Sequence, residues 1–314
     1  MINRFAVQHK FSEKNIAIVF VLIVCCVLSF VPICVKWSEQ EISPIATVFD
    51  RFFFGAFIFG LSSVVFPNQQ KTDTEATVSR FYTPKIILLL LGAGTCAAAN
   101  QAFWALSLTQ TNVGNSSLMH SLSPLFTTLL AWLFLQRSFD RQFIIGMAIA
   151  IVGSIAISIG DFQIAITKLQ GDELALLSAI FFAIYLLIVE QLRISLSSST
   201  ILFWRCLLGT VFLLPILLIN GDRLMPNSTT GWLAIACLVL TFVIGHGLLT
   251  YTLNILSSSL VAVILLLDPF LSSLQAWIFF SEKLSLLEGI SFAIVVLGVY
   301  LAISSRDRKI GVSE

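Results

Sequence analysis

Long apolar runs separated by short polar stretches fill the chain from residue 16 to residue 304. Ten of them have spanning length: 16–36, 44–66, 85–107, 113–135, 142–160, 172–190, 200–219, 231–254, 259–280 and 286–304. A helix needs roughly 20 apolar residues to cross about 30 Å of hydrocarbon. Backbone groups cannot stay unpaired in lipid, so each run predicts a helix. The run "AIVFVLIVCCV" is rich in β-branched residues but lacks the alternation of a barrel strand. Pro44 and Pro84 stand where helices are expected to begin. Pro32, Pro124, Pro215 and Pro269 stand inside runs, where each predicts a kink or a loosened turn.

The pattern occurs twice. "HSLSPLFTTLLAW" (120–132) is echoed by "LLLDPFLSSLQAW" (265–277), with Pro124, Ala131, Trp132, Phe134 and Gly153 each recurring 145 positions later. Further upstream, Phe49, Arg51 and Gly55 recur 154 positions later as Phe203, Arg205 and Gly209. The polar loop 67–84 absorbs the change of offset. Each half therefore holds five spans. An odd number sends the second copy into the membrane from the opposite side, so the expected fold is all-α and integral to the membrane: ten transmembrane helices as two inverted five-helix repeats. Inverted repeats with a midplane site between them are a mark of secondary transporters. The expected boundaries are an N-terminal segment (1–15), a first repeat (16–160), a linker (161–170), a second repeat (171–305) and a tail (306–314).

Composition agrees with lipid as the solvent. Of 314 residues, 57% are hydrophobic and 11% charged, against about 25% charged in soluble domains. A net charge of +1 gives no field for nucleic acid. The six cysteines lie in apolar runs without a CxxC pair and read as small hydrophobes. No AxA-like site follows the first run, which reads as a retained span rather than a signal peptide. With the N-terminus inside, the inner segments hold 12 Lys and Arg (Arg4, Lys10, Lys14, Lys71, Arg80, Lys85, Arg137, Arg141, Arg193, Arg306, Arg308, Lys309) and the outer ones 4 (Lys36, Lys168, Arg223, Lys283). That bias predicts that both termini are cytoplasmic and that the protein sits in the cell (inner or plasma) membrane.

Few polar groups lie within the spans. A charge at mid-membrane costs about 2.5–3.5 kcal/mol on insertion scales, so each is a functional candidate. Asp268, Ser272 and Gln275 share one face of the ninth span by helical spacing, as do His246, Thr250 and Asn254 on the eighth. His120, Pro124 and Thr127–Thr128 line the fourth span. Asn100 and Trp104 share a face of the third, and Gln101 is the repeat partner of His246. Together with Tyr185 these form the candidate substrate or proton pathway; hydrogen bonding that seals the bundle is the plainer alternative. If the eighth and ninth spans pack together, Asp268 and His246 can share a proton. Arg51 and Arg205 lie six to eight residues into their spans, near opposite faces by the inversion. The plain expectation is snorkelling, with Glu190 paired to Arg205 and Lys36 to Asp50; a gate latch is the sharper one. Pro124 and Pro269 are further gate or structural candidates. Trp104, Trp132, Tyr185, Tyr251, Phe270 and Trp277 are a candidate aromatic wall. Gly146, Ala150 and Gly153 give the fifth span a small-residue face, for contact within the chain or in a homo-oligomer.

These features resemble the drug/metabolite transporter superfamily with two EamA-type domains. The resemblance rests on five plus five spans, an arginine in the second span of each half (Arg51, Arg205), proline-bearing fourth spans, "FFSEKLSLLEGISFAIVVLGVYL" (279–301) and Lys36 at the end of the first span. The sequence departs from the family at "CVLSFVP", where a Trp-Gly pair is common, and at Gln136-Arg137, where Gly-Glu is common. The resemblance implies a secondary transporter, more an exporter than an importer, of a small metabolite, amino-acid-like or drug-like amphiphile, with protons as a coupling ion. A sugar-phosphate or nucleotide-sugar translocator needs several deep Lys or Arg groups, and the two arginines read as shallow. A membrane enzyme or sensor is the alternative from another class. No HExxH, GxxxxGK[ST] or His-carboxylate cluster points to catalysis, a metal or a cofactor.

Overall fold

The computed structural model describes residues 2–65, 83–111, 113–158, 169–280 and 286–305. Most of the 67–84 loop and of the 161–170 linker, the 306–314 tail and the side chains of Lys36 and Trp277 lie outside the described residues. The described residues are all-helical: α1 (Ile2–Leu28), α2 (Val31–Ser38), α3 (Pro44–Val65), α4 (Pro84–Gln110), α5 (Val113–His120), α6 (Ser123–Leu135), α7 (Arg141–Ser158), α8 (Leu169–Leu192), α9 (Ser198–Asn220), α10 (Thr229–Thr252), α11 (Ser258–Ile264), a 3₁₀ turn (Leu265–Leu267), α12 (Asp268–Phe280) and α13 (Leu286–Ser304).

Seven helical stretches are long and apolar enough to cross a membrane, and three shorter apolar ones fall on the expected fifth, ninth and tenth spans. Large apolar side chains point outward all round: Phe57, Leu88, Phe134, Ile219 and Leu233 are exposed. Polar groups such as Asn100, Arg205 and His246 are buried instead. Water would not tolerate that arrangement, and lipid requires it. The protein is an integral, multi-pass membrane protein.

The packing pairs elements across the halves. α3 lies on α9, α7 on α13, α4 on α8 and α1 on α10. Exchanging the two halves leaves the first two pairings unchanged and swaps the last two. Alanines make the α4–α8 seam close, with Ala93 and Ala97 on one side and Ala175, Ala179 and Ala183 on the other, all buried. Glycines do the same for the other pairs. A Cβ on Gly209 would meet the Phe52 ring at 2.9 Å, and one on Gly55 would meet Cys206 Sγ at 3.0 Å. Phe52 and Cys206 are themselves repeat partners. A Cβ on Gly153 would meet Val295, and one on Gly298 would meet Ala150. The small-residue face of the fifth span is therefore filled by the tenth span of the same chain.

Three spans are broken, each beside a proline. The first breaks between α1 and α2 ahead of Pro32, the fourth between α5 and α6 ahead of Pro124, and the ninth at the 3₁₀ turn ahead of Pro269. Pro215 stays inside α9, which runs on uninterrupted to Asn220. Side chains occupy the carbonyls that the breaks release. Gln275 donates to Cys26 O at 3.2 Å and Ser272 donates to Ser29 O at 3.3 Å. Cys25 Sγ donates in return to Ile264 O at 3.6 Å. Ser123 Oγ donates to His120 O. Neighbouring side chains make broken helices tolerable in a membrane in this way.

Candidate functional site

Arg51 projects from α3 and Arg205 from α9, and both are turned into the protein. Relative exposure is 3% for Arg51 and 1% for Arg205. Snorkelling toward opposite faces is thus overturned. Depth counted along each span placed them near the surface, but their helix faces pack on one another. Gly55 and Gly209, one turn on, draw the two helices close enough to bury both guanidiniums.

Both guanidiniums lie against the Phe242 ring of α10. Arg51 Cζ is 5.5 Å and Arg205 Cζ 5.0 Å from its centroid, so no more than the sum of those distances separates the two cations. Arg51 Nη1 donates to Gln101 Oε1 at 3.1 Å, and Arg205 Nη1 donates to the Tyr185 hydroxyl at 3.0 Å. Arg205 also lies 4.5 Å from the Tyr185 ring and 5.7 Å from the Phe52 ring. His246 packs its ring 4.8 Å from Phe242, and Thr250, one turn on, lies beside the Tyr185 hydroxyl. Gln101 and His246, partners in the repeat, thus flank Arg51 and Arg205, also partners in the repeat.

Among the described residues, neither guanidinium has a carboxylate within 4 Å. Two unit charges at most about 10 Å apart repel by at least about 1.7 kcal/mol at an effective dielectric of about 20. Cation–π contacts return about 0.5–2 kcal/mol each. Nε of Arg51, Nε of Arg205 and Nδ1 of His246 are all buried without a hydrogen-bond partner. Buried polar atoms are rarely left so, and here three gather around one ring.

A second polar group extends from this one. Asn100 Nδ2 donates to Ser178 O and Oγ, both at 3.0 Å, and His120 Nδ1 lies 3.4 Å from Ser178 Oγ. The His120 ring packs 5.4 Å from Phe182, which stacks 6.4 Å from Tyr185. Trp104 is half-buried against the core. An apolar cavity of about 330 Å³, lined in part by Phe20, Phe59, Leu202 and Tyr251, opens one helical turn from Arg205 on α9.

Other expected residues are placed differently. Glu190 pairs with Arg137, not Arg205, through bonds of 2.8 and 2.9 Å, and accepts a third from Ser258 N at 2.9 Å. It sits at the end of α8, beyond the reach of Arg205 in mid-bundle. Asp268 and His246 do not form the expected couple. α1 packs on both α10 and α12, so Asp268 faces Cys25 of α1 while His246 faces Phe242. Asp268 Oδ1 is buried without a partner. Ser272 and Gln275 are occupied by the α1 break. Of the expected aromatic wall, Tyr185 lies at the site, whereas Trp132 is 59% exposed, Tyr251 lines the apolar cavity and Phe270 stacks on Phe292. The rings that line the site are Phe52, Phe182, Tyr185 and Phe242. Phe242 lies four residues before His246, on the same helical face, so spacing could have found it; attention to polar residues alone passed it over. Among the described residues, no three His, Cys, Asp or Glu side chains converge as metal ligands do.

Known proteins resemble this chain along most of its length. An uncharacterized transporter of Archaeoglobus fulgidus is 24% identical over 87% of this chain and 93% of its own. A second from the same organism is 25% identical over 66% and 72%. The uncharacterized transporter YxxF of Bacillus subtilis is 23% identical over 74% and 75%. A solved crystal structure superposes with a TM-score of 0.75 at 15% identity, covering 91% of this chain and 96% of that one, which shows the fold alone. The EamA-like transporter family model matches residues 15–159 and again 169–304, so the chain belongs to the EamA-like transporter family.

Proposed function

We propose that the protein is a secondary transporter of a small metabolite, working by alternating access as an exporter in the cell membrane. In this reading ten spans form two inverted repeats, 16–160 and 171–305, with both termini cytoplasmic. The observation that carries it is the buried polar cluster to which both halves contribute equivalent residues, Arg51 with Gln101 and Arg205 with His246. A site on the pseudo-twofold axis is reached from either side when the halves rock. The broken first, fourth and ninth spans are the joints of that motion, with Pro124 and Pro269 at equivalent places. Transporter-named relatives support this reading over an enzyme.

Two sets of polar contacts serve as latches on opposite faces. Arg137, Glu190 and the α11 N-terminus close the side read as cytoplasmic. Glu41 with Asn227 and Ser228, and Ser43 with Asp222, close the other. The test is counterflow in sealed proteoliposomes with a labelled metabolite panel. Saturable exchange that needs the internal unlabelled compound supports the reading. Turnover of a compound without flux would replace it with an enzyme.

A further inference from the structure

The paired arginines also bear on what is carried. We propose that the substrate is a small organic anion whose carboxylate or phosphate is held by Arg51 and Arg205 together. This deepens the transporter reading and rests on it for the word substrate; the anion site itself rests on the geometry of the pair.

Two buried guanidiniums lie within 5.5 Å of the centroid of one phenyl ring and have no carboxylate partner among the described residues. Each commits one nitrogen to a neutral group, Gln101 or Tyr185, and leaves Nε buried and unbonded. The nearest acids are otherwise placed. Asp50 precedes Arg51 directly and so points about 100° away around α3. Glu190 is held by Arg137 and Ser258 N. Asp268 lies across α1, facing Cys25. A cluster with two cations and no protein anion lacks its counter-charge, and an anionic ligand supplies it. Guanidinium forks match the planar carboxylate and the phosphate oxygens. His246 Nδ1, also unbonded, adds a third polar contact. Phe52, Tyr185 and Phe242 provide apolar walls for a short carbon body. An ammonium group would meet the repulsion of two buried guanidiniums, which outweighs what the rings and the Gln101 oxygen offer it, so amines and choline-like compounds are disfavoured and a net-negative ligand is favoured over a zwitterion.

The test is thermal unfolding of the full chain in lipid nanodiscs at fixed sodium chloride. The probes are succinate, citrate, glutamate, glycerol 3-phosphate and inorganic phosphate, against glycine, choline and putrescine. At least one anion is expected to raise Tm, with the carboxylate and phosphate arms deciding which chemistry is bound, and the amines are expected to do nothing. Arg51→Gln and Arg205→Gln are each expected to weaken the apparent Kd about ten- to hundredfold, as loss of one charged hydrogen bond implies. The Arg51→Gln/Arg205→Gln protein is expected to unfold, without ligand, close to the wild-type temperature, because relief of the repulsion and of the desolvation of two unpaired buried charges offsets the lost cation–π contacts. A purely structural role predicts a marked fall in Tm. Protection by amines, equal anion protection in the arginine variants, or no protection by any anion overturns the proposal. Anion binding without counterflow removes the transporter reading and leaves the anion site standing. Counterflow of a neutral or cationic compound without anion binding does the reverse.

Discussion

Arg137 grips Glu190 with two parallel hydrogen bonds, Nη1 to Oε2 at 2.9 Å and Nη2 to Oε1 at 2.8 Å, and the same carboxylate caps the first turn of α11 through Ser258 N. One acid thus ties the α6–α7 connection, the end of α8 and the start of the ninth span. The pair is mostly buried, at 14% and 5% side-chain exposure. Removing one partner of such a pair costs about 3–5 kcal/mol, because the other charge is left uncompensated. Glu190→Ala is therefore expected to lower Tm clearly. Arg137→Gln/Glu190→Gln keeps neutral hydrogen bonding, and is expected to recover most of that loss while exposing the latch side. Labelling of a cysteine placed at Ser257 should accelerate in the double variant. Unchanged labelling would leave the pair a fixed strut rather than a latch.

Gly298 is predicted to be intolerant of bulk for reasons internal to the monomer. A Cβ there would meet the backbone of α7, with Ala150 Cα 2.8 Å away and Gly146 O at 2.6 Å. Backbone atoms cannot swing aside as a side-chain tip can. Gly298→Leu should cost about 1–3 kcal/mol or more and lower Tm. Light scattering of the purified protein should show the same oligomeric state as wild type. Dissociation of an oligomer without loss of Tm would place the small-residue face between subunits instead.

Glu41 gives a pH dependence with a defined sign. Its carboxylate accepts from Ser228 Oγ, Ser228 N and Asn227 N, joining the α2–α3 connection to the start of α10. The Ser228 hydroxyl bond, then the backbone N–H bonds, hold its pKa below the ordinary 4.5. A carboxyl whose folded pKa is lowered stabilises the fold above its unfolded pKa, and that stabilisation is lost as pH falls through the folded value. The Tm gap between wild type and Glu41→Gln should therefore be constant above about pH 4.5–5 and close as pH falls below that range. A gap that widened on acidification would contradict the bonding described.

Much of the fold was legible because lipid imposes a length and a composition on each span. The spans themselves, the repeat offsets and the breaks beside Pro124 and Pro269 can all be read from one dimension. Arg51 and Arg205 were misread because distance along a helix gives depth but not facing. Which face of α3 meets which face of α9 depends on contacts between residues about 150 positions apart, such as Gly55 with Cys206 and Phe52 with Gly209. One signal was available: equivalent residues of two related halves meet if they lie near the axis, and the Arg–Gly spacing is the same in both. Glu190 was assigned the wrong arginine for the same reason, since Arg137 reaches it only after the fourth span has folded back onto α8. No local pattern reports that α1 separates Asp268 from His246.

Asp268 is an acid added to a single half, since its repeat partner is Ser123. It begins α12 within the ninth span, just after the 3₁₀ turn. An acid in a first helical turn is favoured by the helix dipole, which is a sufficient structural reason for its presence. Its Oδ1, however, is buried without a partner, beside a thiol and at a broken span. A group in that position changes its hydration when the joint opens, and a proton gained or lost there would couple to the motion. On the transporter reading, with protons as the coupling ion, we propose that Asp268 exchanges the proton. Asn keeps the shape without the charge, so Asp268→Asn should leave Tm nearly unchanged, and Asp268→Ser copies what the first half already contains. Both should reduce pH-gradient-driven transport by about tenfold or more, equivalent to about 1.4 kcal/mol, while counterflow exchange, which needs no net proton movement, persists in part. Wild-type response to the pH gradient in a well-expressed Asp268→Asn protein would remove the assignment and leave Asp268 as a helix-terminal residue.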